Sequence, residues 1–237
     1  RANDPLVVWA EAYNQIIADA DAFAGVPPAV PGLVLKHNFG AYVDRKLFVH
    51  NLGHAAAAYF GFLAGKTYIW ECMADAAVRA PVERVMREAG QALLWRYPRE
   101  LTAAGLAEHI ADLLRRFGNR ALGDSVFRVG RDLPRKLAPG DRCVGALRLI
   151  AAAGGAIDPV CAVIAAALRF AARDEQGAAF AADAAVRARV AADGIVAVLE
   201  SLCGLDAVRD ADAIARISAA YTNTPGRATP RADRLTP

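Results

Sequence analysis

The stretch from Gly40 to Gly65, GAYVDRKLFVHNLGHAAAAYFGFLAG, constrains this chain more than any other. It has no proline, and its apolar residues recur at helical rather than strand spacing, which predicts one buried helix. That helix must nevertheless carry Lys46, Asn51 and His54. At about 100° per residue, with Lys46 at zero, His54 falls at about 80° and Asn51 at about 140°, so all three share one broad face over about 12 Å. His50 projects between Lys46 and His54. Gly53 projects beside Lys46, where the missing side chain leaves room for another molecule to approach.

Leu47, Phe48, Leu52 and the four alanines 55–58 are too apolar for an exposed helix. Part of the polar face is therefore expected to be occluded, and buried polar groups are hydrogen-bonded or functional. Lysine is also scarce, occurring only at 36, 46, 66 and 136 against 24 arginines. A chain that defaults to arginine and keeps lysine at position 46 points to an amine that must lose its proton, which a guanidinium does not do.

The Lys46-x4-Asn51-x2-His54 pattern, within AYVDRKLFVHNLGHAAAAYFGFLAG, resembles the signature of the polyol-specific long-chain dehydrogenases. A second segment, RVGRDLPRKLAPGDR at 128–142, is similar to the corresponding stretch of the members acting on mannitol phosphate. The likeness runs from about Asp4 to Tyr221. It implies an NAD-dependent oxidoreductase interconverting D-mannitol 1-phosphate and D-fructose 6-phosphate, with siblings that act on mannitol or on a hexuronate such as fructuronate. Lys46 would be the general acid/base, Asn51 part of the oxyanion hole and His54 a substrate contact. Chemically, a base near neutrality serves alcohol oxidation best, and free lysine titrates at about 10.4, so burial or a neighbouring cation must bring it to roughly 7–8. Asn51 donates an amide N–H where oxyanion charge develops. Members that take free polyols carry Glu three residues before the lysine, where this chain has Val43, so a proton relay there is not expected. His50 reads as packing or a solvent contact.

Phosphate recognition needs convergent cations, and arginine suits bidentate contact. The glycine- and proline-shaped loop around 131–142 is expected to aim Arg131, Arg135, Lys136 and Arg142 inward, the alternative being a solvated basic loop.

The implied fold is mainly α: a multi-helix bundle of the 6-phosphogluconate-dehydrogenase-like C-terminal type. Residues 1–32, with a β-like run at 6–10 and a proline-rich connector, read as the end of an NAD-binding domain and its linker. Residues 33–221 read as the helical catalytic domain, and 222–237, lacking an apolar pattern, as a disordered tail. Helices are expected at 68–80, from Pro81 to about Trp95, at 102–117, 141–153, 159–173, 175–193, 194–202 and 207–221, with 118–140 irregular. No strand is followed by Gly-x-Gly-x-x-Gly, so NAD would be held mainly by a Rossmann domain outside this stretch, and the chain alone would be inactive.

Composition narrows the partners. The net charge of +3 is spread along the chain, which leaves no nucleic-acid footprint. The longest apolar run, 151–172, is interrupted by Asp158, Pro159 and Arg169, so no membrane span is read. Cys72, Cys143, Cys161 and Cys203 lack metal-ligand spacing and read as buried reduced thiols of a cytoplasmic protein without a metal. A monomer is expected. The remaining alternative is a helical interaction domain without catalysis.

Overall fold

The computed structural model describes residues 15–223, and the β-like run at 6–10 lies outside them. Two short strands, β1 (Ile16–Asp19) and β2 (Leu33–Lys36), pair in parallel with Ile16 opposite Leu33. Among the described residues this is the only sheet, and both strands are largely half-exposed.

Among the described residues the elements that follow are helices: α1 (Gly40–Arg45), a π turn (Lys46–Asn51) continuing into α2 (Leu52–Leu63), α3 (Ile69–Ala74), α4 (Ala76–Arg96), α5 (Ala103–Phe117), α6 (Val126–Gly130), α7 (Leu133–Lys136), α8 (Val144–Ala152), α9 (Asp158–Leu168), α10 (Ala181–Ser201) and α11 (Ala211–Asn223). The chain is mainly α, as its pattern requires. Among the described residues no helix is long and apolar enough to cross a membrane.

α2 is the hub. It packs against α3, α4, α6 and α9, and Ala55 to Ala58 are at most 1% exposed. Small residues allow this because they let neighbouring helices close in on the backbone. A Cβ at Gly61 would stand 2.2 Å from Cys72 Sγ, and one at Gly53 only 2.5 Å from Met86 Sδ. Gly53 is thus filled by a side chain of α4, and the open approach expected there is not present. Its place on the helical wheel showed a bare patch but not what covers it. Further along, the rings of Tyr59 and Phe62 both meet Phe170 edge-on at 5.3 Å.

Several boundaries differ from the sequence expectation for local reasons. The helix expected from Tyr68 stops at Ala74 because Asp75 is extended and caps the next helix, accepting from Ala77 N–H at 2.9 Å. Pro81 therefore lies inside α4 rather than starting a new helix. Thr102 caps α5 as expected, its hydroxyl accepting from Gly105 N–H. The segment 118–140 contains α6 and α7, each too short to give a periodic signal. α9 ends at Leu168, five residues before its expected end, and α10 breaks at Gly194 (φ 82°, ψ 165°), where a boundary is expected. α11 runs through Asn223, so Thr222 and Asn223 belong to it rather than to a tail. All four cysteines are buried and free.

The Gly61–Cys72 approach yields a stability test. Gly61→Ala gains up to about 1 kcal/mol of helix propensity but overpacks the α2–α3 contact by about 1–3 kcal/mol, so a net loss is expected in urea unfolding. Cys72→Ala in the same chain should recover most of it. A Gly61→Ala chain as stable as the parent would mean that α2 and α3 do not meet here.

Candidate active site

The helix from Gly40 to Leu63 is continuous but not uniformly α. Across Lys46–Asn51 it widens into a π turn, and Leu52 N–H reaches back five residues to Leu47 O. In an i→i+5 turn, residues five apart lie nearer to one face than in an α-helix, and such widened turns are frequent at functional sites. The α-helical projection separates Lys46 from Asn51 by about 140°; the wider turn closes most of that gap. His54, three residues beyond Asn51 in regular α2, continues the line.

Burial along this line is graded. Lys46 is exposed, while His50, Asn51 and His54 are half-buried. The expected occlusion therefore applies to the last three and not to Lys46. Phe48 and Val49 turn to the buried side, where Gly145 at the start of α8 accommodates the Phe48 ring.

Around His54 the structure adds residues that spacing did not single out. Phe117, the last residue of α5, stacks on the His54 ring at 4.7 Å and 11°. Asp124 Oδ2 lies 3.3 Å from His54 Nε2, and the same carboxylate pairs with Arg128. His50, His54, Arg116, Phe117, Asn119 and Asp124 wall a cavity of about 100 Å³. Asp124 and Arg128 fall in the segment read as irregular, and Phe117 reads from sequence as an ordinary helix end.

Two histidines here stay neutral near pH 7. His50 is pushed down to about 4, first by burial and then by His54, Arg116, His109 and Lys46. His109, on α5, is likewise brought to about 4 by burial and Arg45, with Arg116 adding to it against Asp112.

The second sequence-derived site is built differently from the expectation. Asp132 is left-handed (φ 74°), and the buried carboxylate of Asp183 on α10 accepts from Asp132 N–H at 3.2 Å and Leu133 N–H at 2.7 Å. That turns the loop into the start of α7. Arg135 Nε donates to Asp132 at 2.6 Å, and Arg142 Nε to Asp141 at 2.7 Å. Lys136 is 4% exposed, donates to Arg131 O, and is lowered to about 8 by burial and the nearby Arg142 and Arg135. The Arg131 guanidinium lies over the rings of Phe127 and Phe180, at 5.6 and 5.8 Å. Each of the four cations is thus engaged within the chain, and a phosphate would compete with those contacts.

The histidines set the response to acid. Unfolded, His50 and His109 bind protons at about 6.5; folded, only at about 4. Between those values the unfolded chain binds more protons, so stability is highest above pH 6.5 and falls as pH drops toward 4. His50→Gln and His109→Gln should each flatten urea-unfolding stability against pH by up to about 1.4 kcal/mol per pH unit in this window. An unchanged slope in both variants would show that these imidazoles are not held neutral.

Similarity to known proteins extends over most of the chain. The chain matches the mannitol dehydrogenase C-terminal domain over residues 38–223. Its fold is similar to that of Pseudomonas fluorescens mannitol 2-dehydrogenase, solved as a ternary complex with NAD and D-mannitol (TM-score 0.63, 22% identity, covering 81% of this chain and 40% of that one). It is also similar to a D-sorbitol dehydrogenase solved in substrate-free form (TM-score 0.67, 17% identity, covering 88% of this chain and 44% of that one). The chain therefore spans less than half the length of either structure. With a match across most of its described residues, this chain belongs to the mannitol dehydrogenase C-terminal domain family.

Proposed function

We propose that this chain is the substrate-binding and proton-transferring half of an NAD-dependent polyol dehydrogenase. The observation that supports this reading is the π turn, which brings Lys46 and Asn51 closer to one face and is followed by His54 on the wall of a small cavity, on a helix that continues into the core.

The described residues do not themselves fit NAD. β1 and β2 form a two-stranded parallel ribbon, and the turn after β1 leads into a three-residue 3-10 helix rather than the long helix whose N-terminus holds a pyrophosphate. NAD would be held by a dinucleotide-binding domain beyond the described residues, where it would supply the hydride-accepting chemistry.

The chain's own residues then handle the proton and the oxygen. Lys46 Nζ takes the hydroxyl proton of the secondary alcohol and returns it in the reverse direction. The Asn51 side-chain N–H donates to that oxygen as its negative charge grows. His54 hydrogen-bonds a neighbouring hydroxyl and fixes which carbon reacts. Lys46→Ala, made in this chain together with its dinucleotide-binding domain, should lower kcat by about 10²–10⁴-fold, with a much smaller change in substrate affinity. Activity within a few-fold of the parent across pH 6–10 would remove Lys46 from this role.

The finer reading is mannitol-1-phosphate 5-dehydrogenase, interconverting D-mannitol 1-phosphate and D-fructose 6-phosphate. It is supported by the resemblance of the 128–142 segment, with Arg131, Arg135, Lys136 and Arg142 as candidate phosphate contacts. A phosphate is unchanged during hydride transfer, so its contacts contribute uniform binding and act on KM rather than kcat. Arg135→Ala should raise KM for the phosphorylated substrate about tenfold, since one charge-assisted contact contributes roughly 1.5–3 kcal/mol. Activity on unphosphorylated mannitol should stay unchanged. Equal losses on both substrates would make Arg135 part of the Asp132–Asp141 scaffold and favour a free polyol.

A further inference from the structure

The His54 ring is held from two directions by groups that the reaction itself does not use. Phe117 lies parallel to it at 4.7 Å, and Asp124 Oδ2 stands 3.3 Å from Nε2. Asp124 is well placed to hold something else in position. Its side chain is 16% exposed, and its other oxygen is taken by Arg128. Its backbone is tied to the start of α3: Ile69 N–H donates to Asp124 O at 2.9 Å, and Val126 N–H to Thr67 O at 2.8 Å. The turn around it cannot shift without breaking those bonds.

A neutral imidazole carries its proton on one nitrogen, and the partner of one nitrogen decides what the other can do. A carboxylate accepts and never donates. With Asp124 Oδ2 at 3.3 Å, a proton on Nε2 faces an acceptor, so this neighbour favours the Nε2–H tautomer and turns Nδ1 into the acceptor for a substrate hydroxyl. Stacking on Phe117 restrains the ring plane at the same time. Weakening the Asp124 support would widen the spread of tautomers that each substrate encounter has to order.

We propose that Asp124 is a positioning residue for His54, fixing its Nε2–H tautomer and its direction toward the substrate hydroxyl. The proposal rests on the reading of His54 as a substrate contact, and two measurements separate the two claims. The first uses this chain alone: multiple-bond proton–nitrogen NMR spectra of the histidine rings near pH 7.5. His54 should show the Nε2–H signature in the parent and in Asp124→Asn, whose amide oxygen still accepts, and a mixture of tautomers in Asp124→Ala. An Nδ1–H or doubly protonated ring in the parent, or no change in Asp124→Ala, overturns the proposal whatever the chain catalyses.

The second measurement uses this chain with its dinucleotide-binding domain. Asp124→Ala should raise KM for a polyol up to about tenfold, roughly one hydrogen bond's worth. Asp124→Asn should recover most of the loss. In a His54→Ala background, Asp124→Ala should add less than about twofold, because a residue acting through His54 has nothing left to act on. Additive losses overturn the proposal. If the parent turns over no polyol, the dehydrogenase reading fails, and the tautomer spectra alone decide the role of Asp124.

Discussion

The burial of α2 between four neighbouring helices is the constraint from which the rest of the structure follows. A helix enclosed on nearly every side normally carries only apolar residues, and most of this one does, with its alanines and glycines letting α3, α4, α6 and α9 close onto its backbone. Contacts of this kind fix a helix by its main chain, with little rotamer freedom to absorb movement. Any polar group on its remaining face is therefore held almost as rigidly as the core. This is the arrangement a reacting group needs, since misplacement by about 1 Å can cost a large factor in rate.

The π turn changes how the polar residues are spread around that helix. A regular α-helix cannot place residues five apart in line, because five steps overshoot one turn. The wider turn brings Lys46 and Asn51 closer to one face while keeping the backbone bonded through Leu52. His54 then follows in ordinary helix and meets its supports from α5 and from the turn before α6. One helix carries the three candidate groups, and side chains of neighbouring elements meet His54.

Electrostatics distribute the roles further. Lys46, Arg45 and Arg116 bring cationic charge to this side of the domain, and burial keeps His50 and His109 neutral beside them. Asp124 brings negative charge next to His54. In the second cluster Asp183 builds the α7 turn, while Asp132 and Asp141 hold Arg135 and Arg142. The first cluster borders a small cavity; the second is engaged by carboxylates of its own segment and of α10.

Much of this was legible in the sequence because it depends on local pattern. The long proline-free apolar run gave the central helix, Thr102 gave the start of α5, and Lys46-x4-Asn51-x2-His54 marked the polar residues with their order. The scarcity of lysine drew attention to position 46. Tertiary structure decided what depends on residues distant in sequence. Gly53 lies bare on a helical wheel, but Met86 fills the space beside it. Widening between Lys46 and Asn51 leaves no trace in apolar periodicity, because the buried residues on its far side still face the core. Asp124 carries no motif and sits in a glycine-rich segment; only the bonds tying that segment to the start of α3 bring its carboxylate to His54. The basic segment showed its charges but not their carboxylate partners, since Asp183 comes from a helix some fifty residues later. Composition and spacing thus determined which chemical groups the chain has, and packing decided which of them meet.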